Sequence, residues 1–221
     1  MFDDPAAVAR YADGPPRQVP GFHDLHTMAL VLLSGHVPAR GRVLVLGAGG
    51  GLELKAFAAA RPGWRFDGVD PSAEMLGLAA ANTAPFAARI ALIEGTIDAA
   101  PAGPFDGAVC LLTLHFIAPD ERRRTLEALR ARMAPGAPLV VAHHSVSREP
   151  AERAFWLAQY AGFAAEKGVD PERAAKAGAS IAQHLPLLAP EEDEAILAAA
   201  GFTDIRLFYA AFSFRGWVAV A

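Results

Sequence analysis

The chain has 221 residues, a length typical of one domain, and 53% of them are hydrophobic, which is enough to form a core. Its net charge of −4 provides no overall attraction to nucleic acid, and the one cysteine, Cys110, excludes a disulfide within the chain. Residues 1–5 lack the basic and apolar segments of a secretion signal, and no apolar run reaches the length of a membrane span. We therefore expect a cytoplasmic protein that does not enter a membrane.

Residues 1–38 are predicted to form an N-terminal arm that leads into a helix. Four prolines fall within the first twenty residues, which favours a loop-rich segment. From His23 or Asp24 to Leu33, apolar residues recur at helical spacing, and Asp24 is a candidate N-cap.

The most informative stretch is the first predicted strand and the turn after it. Residues 42–46 are mostly apolar and partly β-branched, which predicts a strand buried on both faces. They run into the glycine-rich turn Gly47–Gly51, and a helical pattern over 52–60 starts at once. Glycine has no Cβ, so such a turn brings the backbone and a helix N-terminus close to a ligand. The alternative interpretation is a βα turn in which the glycines serve only close packing, because such a turn has the same sequence pattern.

An acid after the second predicted strand makes the ligand interpretation stronger. Residues 66–69 read as a strand, and Asp70 stands at its end. A carboxylate at the tip of the second strand can accept hydrogen bonds from both hydroxyls of a ribose. The turn and the spaced acid together favour a cofactor that contains a nucleoside.

The remaining elements keep alternating until residue 150. The predicted elements are a helix from Pro71, strands at 90–95 and 105–112, a helix at 119–133, a strand at 139–142, helices within 150–200, and strands at 202–209 and 214–220. This order predicts a three-layer, Rossmann-like, doubly wound α/β fold with a mostly parallel seven-stranded sheet. The last two strands have no helix between them, so they must form an antiparallel hairpin. Residues 150–190 are predicted to be a helical cap, although ordinary packing of surface helices fits them equally.

The ordered motifs resemble the class I S-adenosylmethionine-dependent methyltransferases over roughly residues 40–221. The motifs that carry this resemblance are Gly47–Gly51, Val69–Leu76, Glu94–Asp98 and Ala200–Phe202. The resemblance implies one domain over 1–221, S-adenosyl-L-methionine as cofactor, and methyl transfer to an acceptor that we expect to be a small molecule.

A narrower likeness involves the arm. Residues 17–22 and 112–117 are similar to the carboxy-S-adenosylmethionine synthase branch, whose members act in wobble-uridine modification of tRNA. That branch has a tyrosine where this chain has Phe22 and an asparagine where this chain has Leu111. It also has a late-helix arginine that holds the extra carboxylate, and Gly178 aligns there, with Arg173 and Lys176 nearby. A buried carboxylate without a cation is poorly compensated, which argues for plain methyl transfer.

The resemblance also implies a set of cofactor contacts. We expect the turn backbone to contact the cofactor, Asp70 to bind the ribose, Arg17 to bind the methionine carboxylate and Phe22 to stack on the cofactor. The full predicted set is Arg17, Phe22, Gly47, Ala48, Gly49, Asp70, Pro71, Met75, Thr96, Ile97, Cys110 and Leu111. Many members have an acid where this chain has Val45, so Glu53 and turn carbonyls are the alternatives for the methionine ammonium. Glu53 also reads as an ordinary first-turn helix acid.

His115 is the predicted catalytic residue. His115, His143 and His144 are all candidate bases, because imidazole titrates near neutral pH, and His115 is best placed at the sheet edge after the fourth strand. A structural histidine is the competing interpretation for each. The histidine spacings match no zinc site, so no metal is expected.

Other functions and partners remain open at this point. A carboxy-S-adenosylmethionine synthase-like enzyme and a non-catalytic S-adenosylmethionine-binding protein are the alternatives, and a nicotinamide-dependent oxidoreductase fits the closing hairpin poorly. Arg122–Arg124, Arg130 and Arg132 are interleaved with Glu121 and Glu127, which predicts a solvated helix face and gives no direct evidence for nucleic acid. The arm has the reach to contact a second copy, so a homodimer is an open expectation.

Overall fold

A seven-stranded sheet lies at the centre of the computed structural model, which describes residues 14–221. The strands are β1 (Arg42–Leu46), β2 (Arg65–Asp70), β3 (Ile90–Glu94), β4 (Gly107–Leu111), β5 (Pro138–His144), β6 (Thr203–Ala211) and β7 (Phe214–Val220). Their spatial order is β3-β2-β1-β4-β5-β7-β6. Strands β1 to β5 pair in parallel, and β7 is antiparallel to both β5 and β6. The predicted doubly wound sheet and its closing antiparallel hairpin are confirmed.

Helices cover both faces of this sheet. They are α1 (Pro15–Gln18), α2 (Phe22–Ser34), α3 (Leu52–Ala60), α4 (Ala73–Thr83), α5 (Pro119–Arg130), α6 (Pro150–Glu166), α7 (Pro171–His184) and α8 (Pro190–Ala199). Short 3-10 turns lie at Ala84–Arg89, Ile97–Ala99 and Leu114–Phe116. The part of the predicted arm before residue 14 lies outside the described residues.

Two apolar clusters, one on each face, hold the layers together. One joins α2 and α3 to the sheet and includes Leu25, Leu33 and Phe57. The other joins α5 and α8 to the opposite face and includes Leu126 and Leu197. Strand order reverses between β1 and β4, so the carboxyl ends of these two strands form the edge where ligands of such sheets bind.

Arg122 departs from the predicted solvated face of α5. Its side chain is fully buried and pairs with the buried carboxylate of Asp193 on α8. The same guanidinium donates to the carbonyls of Ile117 and Pro186. The inward orientation depends on α8, which lies 71 residues further along the chain, so local charge spacing does not reveal it.

Helices α6 and α7 pack against each other beside the carboxyl edge of the sheet. A Cβ on Gly178 would lie 3.2 Å from the carbonyl oxygen of Leu157, so this glycine allows the two helices to approach closely. The hydroxyl of Tyr209, on β6, donates to the carbonyl of Pro20 at 2.7 Å and ties the N-terminal segment to the sheet. Within residues 14–221, none of the helices has the length and apolar character needed to cross a bilayer.

Candidate functional site

The turn after β1 is shaped by tight contacts that only glycine allows. Gly47 has φ +76°, and a Cβ there would lie 2.0 Å from the hydroxyl oxygen of Thr113. The amides of Gly47 and Ala48 both donate to the carbonyl of Val69, at 2.8 and 3.0 Å. These two amides are therefore used within the fold and are not available to donate to a ligand.

Asp70 presents a fixed carboxylate at the end of β2. One of its oxygens accepts the amide of Gly49 at 2.8 Å, and the other accepts the amide of Ser72 at 3.0 Å. Each carboxylate oxygen can accept a further hydrogen bond, because it has more than one lone pair. The side chain is half-buried and faces a cavity. This geometry suits two vicinal hydroxyls.

That cavity, the first cavity, has a volume of about 570 Å³ and opens at the carboxyl ends of β1, β2 and β4. Its size is typical of a site for a nucleoside-sized ligand. It is lined by most of the predicted cofactor contacts: Phe22, Gly47, Gly49, Asp70, Pro71, Met75, Thr96, Ile97 and Leu111. Ala48 and Cys110 are fully buried and do not line it. Arg17 lines a different cavity, away from the predicted carboxylate contact.

Glu53, in the first turn of α3, faces the first cavity. An acid at this position of a helix is usually exposed to solvent. The side chain is buried, and this burial, helped by the charge of Asp70, raises the pKa of the carboxyl to about 8. Val45, two residues before the turn, is fully buried. Glu53 thus brings a buried carboxyl to the first cavity.

His26 lies on the opposite wall of the first cavity. Its ring packs edge-on against Phe22, with the centroids 4.5 Å apart, and burial lowers the pKa of the imidazole to about 4. A neutral ring extends the apolar surface that Phe22 offers to a ligand. The helical spacing of His26 with Phe22 is the signal that points to it.

A second cavity of about 830 Å³ adjoins the first and shares Leu112 and Phe116 with it. Leu112 has φ +57°, a conformation that costs a non-glycine residue of the order of 1 kcal/mol. This backbone bend follows β4 directly and places Leu112 between the two cavities. Helices α1, α6 and α7 provide the outer walls of the second cavity.

The predicted catalytic residue, His115, lies at the floor of the second cavity. The ring nitrogen Nδ1 of His115 accepts the backbone amide of His144 at 3.2 Å. Both imidazoles are buried, which places the pKa of His115 well below its ordinary value and lowers that of His144 to about 3. The ring of His144 stacks on Phe214 and meets Tyr160 edge-on. His143, the third candidate base, is buried away from this floor beside Trp217.

Metal-ligating side chains are not grouped in the described part of the chain. Among residues 14–221, no cluster of three or more histidine, cysteine, aspartate or glutamate side chains has a geometry that could hold a metal ion.

Known proteins are similar to this chain in sequence and in fold. Residues 44–139 match the family model described as "Methyltransferase domain". The chain is 26% identical over 220 residues to a carboxy-S-adenosyl-L-methionine synthase of Chromohalobacter salexigens, covering 98% of this chain and 82% of that protein.

Solved structures agree with the fold. A Nostoc punctiforme protein assigned as an O-methyltransferase superposes with a TM-score of 0.71 at 18% identity, covering 98% of this chain and 59% of that one. Human N-acetylserotonin methyltransferase, solved in complex with S-adenosylmethionine, gives a TM-score of 0.65 at 16% identity, covering 98% and 56%. The chain thus spans little more than half the length of these two structures.

These matches confirm the predicted resemblance, the predicted fold and the predicted cofactor. Residues 44–139 carry a methyltransferase domain, and the chain has the class I S-adenosylmethionine-dependent methyltransferase fold.

Proposed function

We propose that this protein transfers a methyl group from S-adenosylmethionine to a small-molecule acceptor. The observation that carries the proposal is the pair of adjoining cavities, which share Leu112 and Phe116. The first cavity suits the cofactor and the second suits an acceptor. Their contact allows donor and acceptor to be held in line, which is the main requirement for this displacement.

The residues of the first cavity fit the chemical groups of the cofactor. Asp70 is fixed by two amides to accept the ribose hydroxyls, and the Glu53 carboxyl offers a partner to the methionine ammonium. Met75 and Ile97 give apolar surface for the adenine. The cofactor supplies an activated methyl group and its own leaving group, so the protein binds, orients and excludes water.

Isothermal titration with S-adenosylmethionine and S-adenosylhomocysteine tests the proposal, followed by transfer of a labelled methyl group across a panel of small acceptors. We expect both ligands to bind and at least one acceptor to be labelled. Failure of both ligands to bind would overturn the proposal. Tight binding without turnover across the panel would instead support a non-catalytic S-adenosylmethionine-binding protein.

A carboxy-S-adenosylmethionine synthase-like activity is the second candidate, favoured by the likeness to the Chromohalobacter protein over 98% of this chain. Gly178 stands where we align the arginine of that branch, and it packs against the carbonyl of Leu157, whereas Arg173 on the same helix lines the second cavity. Mass spectrometry of the cofactor that co-purifies with the protein separates the two candidates, because the carboxyl group adds mass. The plain methyl form supports methyl transfer.

A further inference from the structure

The ring of His115 has a defined hydrogen-bond polarity. Its Nδ1 accepts the backbone amide of His144, and a backbone amide only donates. A neutral imidazole has one N–H and one lone pair, so the proton of His115 must be on Nε2. Within residues 14–221, Nε2 has no hydrogen-bond partner, and it is not one of the partnerless atoms sealed from solvent. The nitrogen that His115 offers to the second cavity is therefore a donor.

The rest of the cavity floor also lacks a strong base. Burial keeps His144 neutral, and with a pKa of about 3 its imidazole holds a proton too weakly to take one from an alcohol. The hydroxyl of Tyr160 has no hydrogen-bond partner among the described residues, and burial raises its pKa to about 12, so it stays protonated. The floor thus provides hydrogen-bond donors among the aromatic rings of Tyr160 and Phe214.

The mouth of the same cavity is cationic. Arg17 on α1 and Arg173 on α7 are exposed there, and within residues 14–221 neither has an ion-pair partner. The carboxylate of Asp170 also lines the mouth, but it accepts the amide of Arg173 at 2.9 Å as the N-cap of α7. His184, also at the mouth, binds Ser180 through its ring. The mouth thus has two arginines without an ion-pair partner among the described residues and one aspartate whose carboxylate already accepts a hydrogen bond. This balance of charge favours an anionic ligand.

We propose, building on the methyl-transfer function above, that the second cavity takes an aromatic carboxylate as acceptor and that the Nε2–H of His115 donates a hydrogen bond to the carboxylate. His115 is then a hydrogen-bond donor to the acceptor and not the base predicted from its sequence position. The aromatic walls stack on the ring of the acceptor, and the arginines at the mouth give the cavity a positive potential that favours an anion.

The reaction balances without a base. A carboxylate oxygen forms the bond to the methyl carbon, the carbon–sulfur bond breaks, and its electron pair stays on sulfur. The anion and the sulfonium become a neutral ester and a neutral thioether, so no proton has to leave the acceptor. This explains why a floor without a strong base is sufficient.

Three probes with the same ring system test the inference: 2-naphthoate, 2-naphthalenemethanol and 2-naphthylmethylamine. Each is titrated calorimetrically into the protein with and without S-adenosylhomocysteine. We expect 2-naphthoate to bind about tenfold more tightly than the alcohol, with no measurable binding of the amine. Equal affinity for the acid and the alcohol would overturn the inference.

Matched variants assign the effect to its residues. His115→Leu removes the donor and is expected to lose most of the preference for the acid. His115→Gln keeps an acceptor for the His144 amide and a donor to the cavity, so it is expected to retain that preference. Loss in both variants equally, or in neither, would contradict the role of His115. If circular dichroism shows that His115→Leu does not fold, His115→Phe is used in its place. Arg173→Gln, at an exposed helix position, provides an independent test of the anion site.

Arg173→Gln is expected to weaken 2-naphthoate about twofold while leaving the affinity for S-adenosylhomocysteine unchanged. An unchanged affinity for the acid would contradict the anion site. The result is separable from the methyl-transfer proposal: binding of S-adenosylhomocysteine without any preference for the acid refutes only the acceptor class. If neither S-adenosylmethionine nor its product binds, the cofactor-free titrations still decide whether the cavity takes the anion.

Discussion

Glu53 is the single residue that best shows how the first cavity differs from the motif pattern of its fold. Val45, which precedes the glycine turn on β1, is fully buried and apolar, and a carboxyl enters the cavity from the first turn of α3. Without a cation beside it, burial favours the protonated form of Glu53 up to about pH 8. A positively charged ligand reverses this preference, so binding and ionisation are coupled.

The affinity for S-adenosylmethionine is therefore expected to rise from pH 6.5 to about pH 8 and then level off. Binding near pH 7 should release up to one proton, which calorimetry in phosphate and Tris buffers measures because their ionisation enthalpies differ. Glu53→Gln should bind more weakly and lose this pH dependence. The exposed Glu127→Gln variant on α5 is the control. The same pH slope in Glu53→Gln as in the wild-type protein would show that another group titrates.

The raised pKa of Glu53 also makes a prediction for the cofactor-free protein. Its folded-state pKa lies above the unfolded value of about 4.5, so the folded state holds the proton more tightly between the two values. The associated stability is present below pH 4.5 and is lost as the pH rises through about 8. Glu53→Gln should therefore raise the thermal midpoint more at pH 8.5 than at pH 5. Differential scanning fluorimetry at both values checks this, and an equal shift at both would contradict the buried, protonated state.

How far single residues can be predicted depends on whether their role is local. Asp70 is found from the sequence because it follows a strand at a spacing set by the fold. Glu53 is ambiguous, because the second position of a helix is usually solvated and only the packed structure turns it inward. The donor character of His115 depends on the amide of His144, 29 residues away, and no sequence pattern encodes that contact.

At the scale of elements, α5 and α8 are joined by a buried ion pair. Arg122 and Asp193 are both fully buried, and Asp193 also lies 3.8 Å from the ring of His143. Within residues 14–221, Arg122 Nε and Asp193 Oδ2 have no hydrogen-bond partner. The pair therefore retains part of its desolvation cost, and losing one member leaves the other charge buried alone.

Asp193→Leu is expected to lower the free energy of unfolding by about 3–5 kcal/mol, because it leaves the Arg122 guanidinium unpaired. The double variant Arg122→Met with Asp193→Leu should recover most of that loss. Urea denaturation measures both. Arg123→Ala, which breaks an exposed pair with Glu127, is the control and should cost less than about 1 kcal/mol. A loss in Asp193→Leu no larger than that of the control would contradict the account.

The N-terminal segment is attached to the sheet through β6. The hydroxyl of Tyr209 donates to the carbonyl of Pro20, and Phe22 follows this contact directly into the wall of the first cavity. Helix α2 was predicted from its spacing, with a start one or two residues late, because Gly21 in the left-handed conformation begins it. The contact with Tyr209 spans 189 residues and could not be predicted.

Tyr209→Phe should therefore weaken S-adenosylmethionine binding by about two- to tenfold, the equivalent of one hydrogen bond. Because only one contact at the edge of the sheet is lost, the thermal midpoint should fall by a few degrees at most. Hydrogen exchange of a peptide covering residues 15–22 should become faster in the variant. Unchanged exchange and unchanged affinity would show that the segment is held by other contacts.

At the scale of the whole molecule, alternation of strands and helices predicted the parallel, doubly wound sheet, and the missing helix before β7 predicted the hairpin. The position of the first cavity follows from the reversal of strand order between β1 and β4. The second cavity does not follow from the same pattern, because it is enclosed by α1, α6 and α7, whose packing depends on contacts such as Gly178 with Leu157. The position of the first cavity is thus predictable from the sequence, and that of the second cavity is not.

The central claim is that the first cavity binds S-adenosylmethionine through the carboxylate of Asp70. Calorimetric titration of Asp70→Asn tests it most directly, with Asp204→Asn, an exposed position on β6, as the matched control. We predict that Asp70→Asn binds S-adenosylmethionine about tenfold to a hundredfold more weakly, while the control binds as the wild-type protein does. A folded Asp70→Asn variant with wild-type affinity would contradict the account.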